Sequence, residues 1–440
     1  MSQTMNPVQR RRAWWTAGVA GMASYMDAGA IVTTGTALVL YREEFGFSGN
    51  EYGTLSALLT AMIAVGALIG GPMADRFGRR RVFTVTLMLY IVAAAILVFA
   101  PDTLWLFIGI FLLGFSSGAD LPPSLAMIAE SAPEGEEGKF VTLSHALWMI
   151  VIPIVNVIGI FAGDLGVEGA RLMYAHLLIV AVVVLILRWR LPESDMWRNR
   201  RAAADAGTID KASLRVLFGR TYIWALIGVA LFYGIQNIAA NTNGQFAIYL
   251  FEDVGGATVT EASTLNLIAV LIGLIGTFLV MRFSDTSLRM PLFLLCTVLA
   301  IAAWVLPAVL GVTVMTIFLM AALFWFAQQP SGEPMFKIWS QEIFPTQYRG
   351  AAQGIAIAFT RALAAGAALV TPLILDYSIT LFFLSIGGVL LLAGLIGYFW
   401  VSRMPQVIHK EKAEGPQDAV ELVRDAPSTA EGENAQDPTP

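Results

Sequence analysis

Residues 130–138 read ESAPEGEEG, and residues 342–350 read EIFPTQYRG. Both follow the spacing E-x-x-P-x4-G, and at the same offset Pro122 matches Pro334. Each copy closes a long apolar run with a Gly/Pro cluster inside it, GADLPPS at 118–124 and PSGEP at 330–334. One such coincidence arises easily by chance, but hardly the whole set, so the chain is expected to contain two copies of one design. Matched Gly/Pro-interrupted segments in two halves of a membrane protein point to a solute-binding site, and both runs are expected to break in mid-span.

The solvent follows from composition. Of 440 residues, 57% are hydrophobic and 13% charged, with a mean hydropathy of +0.69. Soluble domains carry about 25% charged residues. A bilayer core needs about 20 apolar residues per helix. Twelve such runs occur, near 14–40, 52–74, 82–100, 103–130, 140–163, 170–190, 220–251, 262–283, 290–309, 312–341, 351–375 and 378–402. The first is too long for a cleaved signal peptide and has no small-residue cleavage site after it, so it stays as an anchor. The expected fold is an all-α polytopic membrane protein with twelve transmembrane helices in two six-helix bundles.

Charge supplies the orientation. Arg10, Arg11, Arg12, the Arg76–Arg81 cluster, the 188–220 connector, Arg282, Arg289, Arg349 and Arg403 fall on one side, against Arg42 and Arg171 on the other. The positive-inside rule makes both termini cytoplasmic. The expected domains are a cytoplasmic N-terminus (1–13), a first bundle (14–190), a cytoplasmic connector (191–219), a second bundle (220–403) and an acidic tail (404–440). That tail holds eight of the 32 acids and three of the 27 bases, with few apolar residues, and is expected to be disordered. The single cysteine, Cys296, rules out an internal disulfide. The basic residues are explained by topology, so no nucleic-acid partner is expected.

At this point the chain resembles the major facilitator superfamily over essentially its whole membrane portion. Gly71, Asp75, Arg76, Gly78, Arg79 and Arg80 complete the G-x3-D-R-x-G-R-R pattern of the family's loop between spans 2 and 3. Loop charge alone explains the arginines but not the glycine spacing. The resemblance implies a cytoplasmic latch in which Asp75 and the arginines reach neighbouring helix ends, with Glu130, Glu342 and Arg349 as the partners in the repeats. The second copy of the loop pattern is degenerate, with only Asp285 and Arg289 at plausible places. Within the family the chain looks most like sugar porters and metabolite-proton symporters, on MDAGAI (26–31), LPES (191–194) and SQEIFPTQYRG (340–350). Gly114, Gly118, Pro122 and Glu130 fit the metabolite and aromatic-acid symporters better than strict sugar porters. The drug antiporters' glycine series ending in Gly-Pro is absent between 140 and 165.

Ionisable side chains at bilayer depth cost at least about 2.5–3.5 kcal/mol each, so each is a functional candidate. Asp27 lies about 20 Å along the first span from Trp14, near its middle. It resembles the proton-carrying aspartate of sugar porters; the alternative is a structural aspartate bonded to a neighbouring helix. The span-4 arginine that often pairs with it is replaced by Ile110. Asp120 either shares a cavity with Asp27 or caps a helix break ahead of Pro122 and Pro123. His145 stands where sugar porters carry a substrate-binding glutamine, or packs as an ordinary core histidine. Gln236 and Asn241 match amides of the porters' Q-Q-x-S-G-x-N run, with Ile235 replacing the first glutamine. Such amides suit hydroxylated ligands but also glue helices together. Lys337 falls on a porter tryptophan and Glu333 on a porter glycine; four residues apart, the two can pair with each other. Arg361 matches an arginine common in organic-acid symporters, whose planar fork fits a carboxylate.

The expected function is proton-coupled uptake of a small polar metabolite by alternating access in a bacterial inner membrane. Asp27 and Asp120 would carry the proton. His145, Gln236, Asn241, Glu333, Lys337 and Arg361 would contact substrate. Lys337 and Arg361 tilt the reading from a sugar or polyol toward a sugar acid or organic acid. A functional monomer with no metal or cofactor is expected. Two rivals remain, a proton-driven exporter of metabolites or drugs and a non-transporting sensor. No nucleophile, base and metal-ligand constellation points to an enzyme, with histidines only at 145, 176 and 409.

Overall fold

A computed structural model of the chain describes residues 6–133, 137–193, 197–198, 217–220, 222–283, 286–344 and 348–405, without the side chains of residues 75, 137–139, 141–142, 349 and 350. The described residues are helical throughout the apolar runs. The first group is α1 (Pro7–Phe45), α2 (Gly49–Phe77), α3 (Arg79–Val98), α4 (Thr103–Ser131), α5 (Glu137–Ala162) and α6 (Val167–Trp189). The second is α7 (Ile223–Tyr249), α8 (Val259–Phe283), α9 (Arg289–Leu310), α10 (Val314–Ser331), α11 (Glu333–Ile343), α12 (Arg349–Tyr377) and α13 (Ile379–Leu395). Eleven spans among the described residues are long and apolar enough to cross a membrane, α10 and α11 counting as one.

Helix α1 is not among the eleven. Its 39 residues carry Asp27 and a series of Gly, Ala and Thr, and almost all of Ala17–Tyr41 is buried against other helices. It faces protein rather than lipid, so its sequence need not be uniformly apolar. It starts at Pro7, ahead of the apolar run. By contrast α3, α6, α8, α9 and α13 expose large apolar side chains, among them Val92, Ile179, Phe278, Val298 and Leu391. That inverted surface is what a hydrocarbon solvent requires.

The ends are set by local chemistry. Ser48 caps α2 and Glu51 reaches back to the Ser48 backbone, a complete capping box. Asp102 accepts from the backbone N–H groups of Leu104 and Trp105 at the start of α4.

The packing order repeats. In the first group α2 packs on α4, α1 on α5, α3 on α4 and α6, and α1 on α6. In the second, α8 packs on α10, α7 on α12, α9 on α10 and α13, and α7 on α13. Helices α2 and α4 cross closely, with Gly66 and Gly70 against the backbone of Phe115 and Ala119 and Gly114 and Gly118 against that of Leu59 and Ile63; a Cβ on Gly118 would collide with the Ile63 backbone. Small residues four apart let helices approach this closely in lipid.

The tandem prolines do not behave alike, which corrects the expectation that both Gly/Pro clusters break their spans. Helix α4 runs on through Pro122 and Pro123, whereas the second run breaks at Gly332, between α10 and α11. The two clusters differ in sequence: Pro122 and Pro123 are adjacent, whereas Pro330 and Pro334 flank Gly332. Gly332 adopts φ −123°, ψ −126°, outside the regular regions, and a Cβ there would sit 2.5 Å from Gln236 Nε2. LPPS at 121–124 has no glycine to take such a bend.

The two groups of helices meet through α2 on α12, α5 on α8 and α1 on α7. Near the end that holds Arg42, that ion-pairs with Asp253 at 2.6 Å, the Tyr52 hydroxyl donates to the carbonyls of Gly35 and Gln245, and Asn266 Nδ2 donates to Asn156 Oδ1 at 3.0 Å.

Candidate functional site

Asp27 sits mid-way along α1 and is 1% exposed. Three donors from three other helices converge on it. Ser117 Oγ on α4 reaches Oδ1 at 3.4 Å, Trp148 Nε1 on α5 reaches Oδ2 at 3.3 Å, and Arg361 Nη2 on α12 reaches Oδ2 at 3.3 Å. The arginine that Ile110 displaces from α4 is therefore supplied from the second group of helices. A carboxylate this buried needs such partners.

Beside it lies a second cluster. The ring of Trp148 runs parallel to that of His145, with centroids 6.2 Å apart. His145 Nδ1 lies 3.3 Å from Lys337 Nζ on α11, and Lys337 pairs with Glu333 at 2.7 Å. A Lys337 ammonium has only hydrogens to offer, so in this contact Nδ1 accepts and the imidazole is neutral. Glu333 and Lys337 thus form the mutual pair allowed by their spacing, and Lys337 also bridges to α5. Their side chains are 34% and 42% exposed, so solvent reaches this part of the site.

Helix α7 carries a run of amides, of which Gln236 reaches this region. Gln236 and Asn241 are buried, and Gln236 packs against the break at Gly332. Gln245 Nε2 donates to Thr60 Oγ1 on α2 at 2.6 Å. Gln236 Oε1, Asn237 Oδ1, both amide atoms of Asn243 and Gln245 Oε1 are buried with no hydrogen-bond partner among the described residues. Buried polar atoms ordinarily have hydrogen-bond partners, so these amides are candidate ligand-binding groups.

Asp120 is placed elsewhere. It neither faces Asp27 nor caps a break; its Oδ1 takes a 2.6 Å ion pair from Arg188 Nη1 on α6 and a hydrogen bond from Thr86 Oγ1. Arg188 is 0% exposed and also donates to the Ala20 carbonyl and Ser124 Oγ. Its inclusion among connector charges is thereby corrected. It lies in the last turn of α6, one residue before its end at Trp189.

The latch residues assemble at the other end of the helices. Gly78 takes φ +100° between α2 and α3, a conformation glycine adopts without strain. The Glu193 carboxylate accepts from the backbone N–H groups of Arg79 and Arg80 at the N-terminus of α3, where the helix dipole favours an anion. Arg79 Nη2 pairs with Glu130 Oε1 at 3.2 Å, and Arg80 Nη2 donates to the Trp189 carbonyl. Arg76 is exposed beside Phe77, and Gly71 faces Pro122 on α4. In the second group Arg289 pairs with Glu342 at 2.6 Å, the counterpart of Arg79 with Glu130. The degenerate loop pattern keeps this pair. The side chains of Asp75 and Arg349, and all of Asp285, lie outside the described residues. Glu130→Gln is expected to remove a charge-assisted bond of about 1.5–3 kcal/mol. Exchange in reconstituted vesicles should slow several-fold while substrate Kd holds; unchanged exchange would dismiss the latch role.

Sequence reasoning missed Ser117, Trp148, Arg188, Asn237, Asn243 and Gln245. A tryptophan in an apolar helix looks the same whether it faces lipid or a carboxylate, so Trp148 carried no signal. Asn237, Asn243 and Gln245 did carry one, as amides in the same run as Gln236 and Asn241.

The sequence profile of the Major Facilitator Superfamily matches residues 14–332. The chain is 32% identical over 345 residues to the minor myo-inositol transporter IolF of Bacillus subtilis, covering 76% of this chain and 78% of that protein. It is 28% identical over 191 residues to the niacin transporter NiaP of Acinetobacter baylyi, covering 43% and 42%. Among solved structures a D-xylose-proton symporter superposes with a TM-score of 0.73 at 20% identity, over 90% of this chain and 98% of that one. The helix order, the paired Arg–Glu contacts and these matches agree: the chain belongs to the Major Facilitator Superfamily and is a transporter rather than an enzyme.

Proposed function

We propose that the chain is a proton-coupled importer of a small, uncharged polyhydroxylated solute, working by alternating access. Two six-helix bundles, α1–α6 and α7–α13, enclose the site, with α1 as the twelfth span. Both termini are cytoplasmic by the loop charges, the membrane is the bacterial inner membrane, and one chain suffices. Asp27 takes the proton.

The observation that carries the substrate class is the charge balance around the site. Arg361 is committed to Asp27 and Lys337 to Glu333, so no cation remains free among the described residues there to clamp a carboxylate. Gln236, which packs against Gly332 beside Glu333, leaves its Oε1 without a partner among the described residues, and an amide matches hydroxyl groups in both donor and acceptor roles. This moves the reading away from the sugar acid that Lys337 and Arg361 suggest on their own. The inositol transporter among the relatives supports the polyol. The niacin transporter supports the second reading, an organic acid, which would have to displace Asp27 or Glu333 from its base.

A thermal-shift screen separates the two. Myo-inositol and D-xylose are expected to raise Tm in a concentration-dependent way, as any ligand that binds only the folded state must, and nicotinate is not. Stabilisation by nicotinate alone would establish the acid reading. Uptake driven by an acidic exterior, rather than accumulation in acid-loaded inverted vesicles, separates import from export.

A further inference from the structure

Two buried Asp–Arg pairs occur in the described residues, and they differ in a way that assigns them different work. Asp120 and Arg188 both belong to the first bundle. Their contact is 2.6 Å, the side chains are 2% and 0% exposed, and Arg188 is held further by Ala20 and Ser124. Asp27 and Arg361 sit on opposite bundles. Their contact is 3.3 Å, longer than the roughly 2.7–2.9 Å of a tight charge-assisted bond, and the arginine side chain is 17% exposed. The first pair is a fixed internal tie. The second is loose, reached by solvent, and spans the interface that must move.

We propose that Arg361 is a positioning residue, the movable counter-ion of Asp27, so that the charge on Asp27 decides whether α1 and α12 are tied together. With Asp27 ionised, the guanidinium holds α12 to α1 across the interface. When a proton from water binds the carboxylate, an ion pair becomes an ordinary hydrogen bond, the tie loosens, and the bundles are free to rock. Sequestering the counter-ion in the other bundle couples protonation directly to conformation, with no intermediate relay. Ser117 and Trp148 stay with Asp27 in both states, because they belong to its own bundle.

The neighbouring groups leave Arg361 as the partner that matters. On α3, Tyr90 donates to the Met26 carbonyl, and on α6, His176 bonds Tyr25 at 2.7 Å while Tyr174 bonds Thr34. On α2, Tyr52 is engaged with backbone carbonyls, and α7 contributes Tyr233. These phenols are uncharged at working pH. On α4, Asp120 is neutralised by Arg188; His145 on α5 faces Lys337, which Glu333 neutralises on α11. Histidine titration at 145 or 176 would add its own pH dependence, which the variants below separate because both histidines stay in place.

The inference rests on the proton-coupled reading above. It is tested by myo-inositol counterflow in proteoliposomes across pH 5 to 8, with no gradient imposed, alongside acid-driven accumulation. Wild type is expected to exchange at a rate that changes at least several-fold with pH. Arg361→Gln should exchange with a flat profile, no longer slowed as pH rises, and should lose accumulation; Arg361→Lys should restore the pH dependence in part. An Arg361→Gln protein that keeps the wild-type profile and accumulates solute overturns the inference and leaves the transport reading intact. If Arg361→Gln exchanges at no pH, the Asp27→Asn, Arg361→Gln double variant decides. Removing the stranded carboxylate should return pH-independent exchange, and a double variant as inactive as the single overturns the inference. Wild-type protein that exchanges none of myo-inositol, D-xylose or nicotinate defeats the transport reading itself.

Discussion

Asp27→Asn is expected to abolish uphill accumulation, leaving solute to equilibrate across the membrane while exchange persists. The asparagine keeps the shape of the site: its carbonyl oxygen can accept from Trp148 Nε1 and its NH2 can donate to Ser117 Oγ, in place of the carboxylate oxygens that these groups reach at 3.3 and 3.4 Å. What it cannot do is gain and lose a proton, and a carrier whose charge is fixed cannot link solute movement to the proton gradient. It also cannot form an ion pair with Arg361, whose side chain is 17% exposed and retains some access to water. The variant should therefore fold. Acid-driven uptake and counterflow measured on the same vesicles check this, and wild-type accumulation by the variant would remove Asp27 from the proton role.

Asp120→Ala is expected to damage the protein rather than its coupling. The variant strands Arg188, which is 0% exposed, inside the first bundle. Breaking such a pair from one side costs about 3–5 kcal/mol, because an uncompensated charge is left in a low-dielectric interior. Expression and thermal stability should fall sharply. Replacing both partners by apolar residues of similar volume, Asp120→Leu with Arg188→Met, should recover most of the loss. Detergent-solubilised protein followed through a melt distinguishes these outcomes. If the double replacement folds yet loses proton coupling, Asp120 has a transport role beyond its pairing.

The scaffold was legible because bilayer thickness forces long apolar runs. Most helix ends fall within three residues of the expected ones, as with α4 (Thr103–Ser131) against 103–130. The repeat E-x-x-P-x4-G marked the latch carboxylates Glu130 and Glu342 and, through the same alignment, the break at Gly332. The partners were not legible. Nothing in the sequence says that Arg361 crosses to Asp27 or that Arg188 turns inward to Asp120, because rotation of a helix about its axis is set by packing and not by hydropathy. The same gap explains the tilt toward an acid substrate: Arg361 looks like a free cation in the sequence and is paired in the fold, while Lys337 takes the pairing with Glu333 that its spacing allows.

Proton flux into proteoliposomes upon addition of substrate tests the central claim most directly. With weakly buffered medium and no imposed gradient, myo-inositol or D-xylose should alkalinise the exterior in step with its own uptake, and Asp27→Asn protein should take up solute without that pH change. Solute uptake by the wild-type protein with no accompanying proton movement would contradict the account.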